Sequence, residues 1–171
     1  PARIVLYGRP AGGHLASPLG DTANLPAPDG DLGPHVGFAT KVAGVINFFG
    51  PRGFEQLSQL EKADVQGSAL RRLFGGPLGE KVGAIKQASP LSHISMDDPP
   101  FVHFHGNQDR IVPYSQSELL HAALAESAVP STIITIDGGG HGFRGRRIEN
   151  TIQTFLDHTL FGAEDTLTDT T

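Results

Sequence analysis

The chain has 171 residues, 38% of them hydrophobic, a size at which one domain normally buries a core without staples. It holds no cysteine, so a disulfide framework, a thiolate metal site and a cysteine nucleophile are all excluded. A formal charge of -5 with both signs interspersed argues against a nucleic-acid surface and a polybasic lipid-binding segment, and a small neutral or weakly polar ligand fits better.

No apolar run approaches the roughly 20 residues of a membrane span, so a soluble protein is expected. The sequence opens at Pro1 with neither an initiator methionine nor a signal-peptide pattern, which leaves the compartment open.

In chain order, Arg3 to Tyr7 (RIVLY), closed by Gly8, reads as a buried strand. The following PAGGHLAS places Pro10 at the first position of a helix, and Pro18 should end that helix early or kink it. Residues 20 to 40 have the Gly, Pro and acidic composition of a long exposed loop. Lys41 to Phe49 is a second buried strand closed by Gly50-Pro51, and residues 53 to 88 predict a pair of short helices broken at Gly75-Gly76-Pro77. Phe101 to His105 is a third strand, Ser115 to Glu126 an amphipathic helix, Thr132 to Ile136 a fourth strand, and Ile148 to Leu160 a last helix. Residues 1–161 therefore make one domain, and the tail 162–171 (GAEDTLTDTT) is polar enough to be expected to fray.

Strands alternating with helices imply an α/β sheet with parallel pairing, covered on both faces, and in such sheets function collects at the strand C-terminal ends. The loops leaving those ends are GRPAGGH, GNQDRIVP and GGGHGF. A nucleophile on a sharp strand-to-helix turn, then an acid, then a histidine is the α/β-hydrolase order, and Asp109 and His141 stand in the acid and histidine contexts.

The linked motifs FFGP (Phe48 to Pro51), ASPLSHIS (Ala88 to Ser95), DDPPF (Asp97 to Phe101), HGNQDRIVP and GGGHGF resemble bacterial esterases. The resembled groups are the bifunctional feruloyl and acetyl xylan esterases and the hormone-sensitive-lipase group. The likeness runs over roughly residues 1 to 160 and implies the C-terminal half of an α/β-hydrolase fold with about four parallel strands. It also implies a carboxylic-ester hydrolase that acts on a small ester without metal or other cofactor, with Asp109 orienting His141 and His141 taking a proton.

Two departures qualify that implication. The nucleophilic serine of the family maps onto Pro10, which has no hydroxyl, and proline with its fixed φ cannot form the usual elbow. The strands and oxyanion loop that precede the elbow in the family have no counterpart in this sequence, so the Ala11 N–H is the one candidate oxyanion donor. The expected function is thus weak, water-based or partner-completed ester hydrolysis, with a catalytically inactive binding or assembly module as the alternative. The family's strand order would also leave Arg3 to Tyr7 at an edge. That apolar strand predicts a homo-oligomer, or a complex with the missing half, through this edge.

Plainer readings stand beside these. On composition alone Asp109 is a loop-capping carboxylate and His141 a turn residue. His103 and His105 lie on one face of a strand and could form a metal pair with Asp109, but His105 closes this strand throughout the resembled family and His103 reads as a partly buried polar residue. His14 and His93 read as structural, and Ser115 and Ser117 as helix caps. Ser17 lies two turns beyond Pro10, roughly 10 Å along the axis, too far to replace the nucleophile.

Overall fold

The structure is a computed structural model and describes residues 3–21, 41–59 and 68–170. Most of the loop predicted at 20 to 40, and part of the helical stretch that follows the second strand, lie outside the described residues.

Four strands, β1 (Val5–Gly8), β2 (Gly44–Phe48), β3 (Phe101–Gly106) and β4 (Ser131–Ile136), form one parallel sheet in the order β1-β2-β3-β4. The two inner strands are buried at every position, as near-continuous apolar runs in a sheet covered on both faces must be, whereas β1 and β4 are only partly covered. Helices α1 (Pro10–Asp21), α2 (Phe54–Ser58), α3 (Ala69–Phe74), α4 (Val82–Ala88), α5 (Ser115–Glu126) and α6 (Arg146–Phe161) fill the connections.

Side chains alternate across the sheet, so β2 and β3 feed two cores. Ile46, Phe48, Val102 and Phe104 pack with Ile148 and Phe155 of α6 on one face. Val45 and Phe101 pack with Ala16 of α1 and with Leu120 and Leu124 of α5 on the other. Phe48 stacks on Phe104 with ring centroids 4.7 Å apart, and burying one such ring contributes about 2 to 3 kcal/mol. The same alternation sends Asn47, His103 and His105 to the α1/α5 face, where polar partners receive them.

The helix expected to be cut short by Pro18 runs on through it to Asp21. Proline there removes one backbone hydrogen bond, but Ala16 and Ser17 just before it are buried against the sheet, and that packing outweighs the lost bond. The break at Gly75-Gly76-Pro77 falls where expected, with Gly75 in the left-handed conformation ending α3. Neither Ser115 nor Ser117 caps α5, whose start at Tyr114 has no side-chain cap.

The tail expected to fray instead runs beside β4. Thr170 donates its N–H to Ile133 (3.1 Å) and accepts from Thr135 N–H (3.1 Å), while the Asp169 carboxylate accepts from Ile133 N–H at 2.7 Å. Leu167 packs against the α6-side core. Composition predicted solvent for this polar segment, but open β4 backbone groups and one leucine give it a place to dock. At the opposite side of the sheet β1 has a strand neighbour on one side only among the described residues, and Ile4 and Tyr7 are 43% and 51% exposed.

Candidate functional site

All four strands run the same way, so the turn after β1, the loop after β2 and the loops after β3 and β4 leave one end of the sheet. At the first of these the chain passes from β1 into α1 in a single residue, Arg9. Gly8 makes that turn possible, because a Cβ there would overlap the Gly12 carbonyl and the Gly13 nitrogen. Pro10 occupies the first helical position and Ala11 the second, whose N–H is among those without an acceptor inside a helix.

The loops after β3 and β4 are stitched together. Asn107 donates from its amide to Asp137 (3.0 Å) and accepts from Gly138 N–H (2.9 Å), and Gln108 N–H donates to the Gly139 carbonyl at 2.9 Å. Gly106 lets these loops touch, since a Cβ at this position would run into the Gly139 and Gly140 carbonyls.

The stitching brings Asp109 and His141 together, with His141 Nδ1 donating to Asp109 Oδ2 at 2.6 Å. The other carboxylate oxygen accepts from Ile111 N–H (2.8 Å) and Val112 N–H (3.0 Å). The Asp109 side chain is fully buried, whereas the His141 side chain is 15% exposed. With Nδ1 engaged, Nε2 is the imidazole nitrogen left for a ligand. His141 borders an open cleft of about 390 Å³ lined also by Gln108, Arg110, Ile111, Gly138 and Gly140.

The His141 ring also packs against Phe49, with ring centroids 4.6 Å apart. Phe49 has φ 38, an unusual conformation for a bulky residue, and is held by its N–H bond to the Phe104 carbonyl and by burial of its ring against Phe48 and Phe143. Nothing in the FFGP string alone distinguishes this ring from an ordinary core phenylalanine.

The remaining sequence candidates find structural partners. His103, expected to be partly buried, is wholly buried, with Nε2 3.1 Å from Ser131 Oγ. Burial above all, then the positive Arg52, holds it well below the usual histidine pKa. His105 bonds Ser117 Oγ and the Val112 carbonyl. Among the described residues no group of three or more His, Cys, Asp or Glu is placed to hold a metal ion. His14 contacts the Pro51 carbonyl and the Phe54 ring, and burial, then Arg52, lowers its pKa. His93 bonds the Gln87 carbonyl at 2.7 Å. Ser17 is buried and takes a bond from Arg52 Nη1.

Sequence reading passed over the residues that connect the motifs. The Gln116 side-chain oxygen accepts from Arg52 N–H (3.0 Å) and Gly53 N–H (2.8 Å), and Ser89 Oγ accepts from Phe54 N–H (2.8 Å). Arg52 to Phe54, just after FFGP, Ser89 of ASPLSHIS and Gln116 of α5 are thus one hydrogen-bonded layer that fixes the loop after β2.

The family model BD-FAE matches residues 1–124. Esterase LipC of Mycobacterium tuberculosis is 30% identical over 141 residues, which cover 82% of this chain and 34% of LipC. Among solved structures, a truncated carbohydrate esterase from gut microbiota superposes with TM-score 0.78 at 26% identity, covering 90% of this chain and 58% of that one. Native Est2, an esterase of the planctomycete Thermogutta terrifontis, gives TM-score 0.70 at 25% identity over 96% of this chain and 59% of its own. The chain spans about a third of the length of the curated relative LipC. Among the described residues no helix is long and apolar enough to cross a membrane. With four parallel strands flanked by helices and these similarities, the chain belongs to the BD-FAE family of α/β-hydrolase esterases.

Proposed function

We propose that this chain is a carboxylic-ester hydrolase homologue in which His141 is the general base and Asp109 orients it. The observation that carries the reading is the 2.6 Å bond between His141 Nδ1 and the buried Asp109 carboxylate, beside an open cleft. A carboxylate on Nδ1 leaves a lone pair on Nε2 and stabilises the imidazolium that forms when Nε2 takes a proton. Pro10 stands at the nucleophile position and supplies no hydroxyl, so the attacking group is water or a hydroxyl from a partner. In the water route His141 Nε2 takes a proton as the oxygen bonds to the ester carbonyl carbon. The alcohol then leaves with that proton as the carbon–oxygen ester bond breaks. Ala11 N–H is the oxyanion donor of this chain.

Hydrolysis of a short acyl ester by the wild type and by His141→Ala tests this. Weak turnover that the substitution removes is expected, and equal rates in both proteins would refute the role of His141. The missing hydroxyl at Pro10 favours a second reading, a catalytically inactive binding module. In that case neither protein exceeds the buffer rate.

The small ester is the proposed ligand, and association through β1 the proposed assembly, either with a second copy or with a chain that supplies the preceding strands. The exposed Ile4, Tyr7 and, on α1, Leu15 (60% exposed) support it. Light scattering at micromolar concentration checks it, a stable monomer of 18.1 kDa being the contrary result.

A further inference from the structure

Behind the Asp109–His141 pair lies a second histidine that the proposed reaction does not use. His105 and Asp109 side chains are both inaccessible to solvent, and His105 Nε2 stands 3.3 Å from Asp109 Oδ2, the same oxygen that accepts from His141. That Nε2 is also 2.9 Å from the Val112 carbonyl. A carbonyl only accepts, so Nε2 carries the hydrogen and donates it to Val112 O, with Asp109 Oδ2 in close electrostatic contact beside it. Burial above all keeps His105 below the usual histidine pKa, although the Val112 carbonyl and the Asp109 charge oppose that lowering. A neutral ring with hydrogen on Nε2 must accept at Nδ1, and Ser117 Oγ lies there at 2.7 Å. Ser117 is wholly buried at the first turn of α5, which rules it out as a nucleophile open to substrate.

We infer that His105 is a positioning residue for Asp109, held in its Nε2–H tautomer by the Val112 carbonyl, anchored at Nδ1 by the Ser117 hydroxyl, and presenting its N–H edge to Oδ2. The inference rests on the reading of Asp109 and His141 given above. With Ile111 and Val112 N–H on Oδ1 and His141 on Oδ2, the carboxylate accepts three hydrogen bonds, and the buried His105 ring closes against Oδ2 at 3.3 Å. Ser117, on α5, thereby bears on a carboxylate it does not touch, through the His105 ring. The tautomer follows from the acceptor on one side of the ring and the hydroxyl on the other, which is how a second layer fixes a histidine.

The experiment is nuclear magnetic resonance on the full ¹⁵N-labelled chain, following the His105 ring nitrogens and the downfield Nδ1–H proton of His141. The wild type is expected to show His105 as the Nε2–H tautomer and to retain the His141 proton signal near neutral pH. Ser117→Ala should keep the Nε2–H tautomer that the Val112 carbonyl sets, shift the unpartnered His105 Nδ1 resonance and broaden the His141 signal. His105→Phe should lose that signal, and His105→Gln, which keeps an amide donor, should restore it. An unchanged signal in a folded His105→Phe overturns the inference. Where that variant does not fold, an unchanged His141 signal in Ser117→Ala does so. Absence of the His141 signal from the wild type would instead count against the Asp109–His141 pair itself, and His105 would then have nothing to position.

Discussion

Lowering the pH from 7.5 to 5.5 should destabilise this fold chiefly through His103. The ring is wholly buried, stacked near Phe101 with centroids 5.7 Å apart, and its Nδ1 has no hydrogen-bond partner. A proton added there would meet no acceptor, and the charge would sit in a site already disfavoured by burial, Arg52, His121 and His105. The folded pKa lies well below 6.5, so the unfolded chain binds this proton first and stability rises with pH through the window below 6.5. With an unfolded value near 6.5, one histidine kept neutral costs about 0.4 kcal/mol at pH 6.5 and about 1.4 kcal/mol at pH 5.5. His14 and His105, also lowered, add smaller losses with the same sign. Guanidinium unfolding of the wild type and of His103→Phe at the two pH values isolates the residue. The wild type should lose about 1 kcal/mol more than the variant on going to pH 5.5. Equal losses would show that His103 protonates in the folded state without penalty, and the argument from its buried, unpartnered Nδ1 would fail.

Pro10→Ser alone should leave ester turnover below the ordinary enzyme range of about 1 to 10³ per second, since Ala11 N–H is the single oxyanion donor proposed above and removing one donor costs about 10² to 10³ in rate; steady-state assays with a short acyl ester decide it. Gly8→Ala should cost about 1 to 3 kcal/mol or more in denaturant unfolding, because its methyl would overlap the Gly12 carbonyl at the start of α1. Ending the chain at Gly162 removes the bonds of Asp169 and Thr170 to β4 and the packing of Leu167. At about 1 kcal/mol per hydrogen bond the loss should be roughly 2 to 4 kcal/mol, read from the unfolding midpoint.

The sheet was legible because its strands are short β-branched and aromatic runs between Gly and Pro, and α5 matched its predicted limits. The Asp109–His141 pairing was readable from loop order alone, since parallel strands deliver their following loops to one end. Pro18 misled the reading of α1 because helix propensity is local while the burial of Ala16 and Ser17 is tertiary. The tail misled it for a related reason: its polar residues bond through backbone and carboxylate to a neighbouring strand, which a composition count does not register. Ser117 was taken for a cap because serine near a helix start usually is one. Its actual partner, His105, lies 12 positions earlier in sequence and meets it only once α5 packs on β3.

The docking of the tail on β4 gives the two sides of the sheet different fates. Hydrogen-bonding capacity at the β4 side is partly spent within the molecule, while β1 keeps its outward row available among the described residues. In the proposed assembly, growth by strand addition would therefore be directional. Two copies meeting through β1 would present only tail-covered margins to a third, so the process terminates at a pair. Losing the tail would open β4 as well as β1, so that each molecule could pair on both sides, which is the condition for an open-ended fibre.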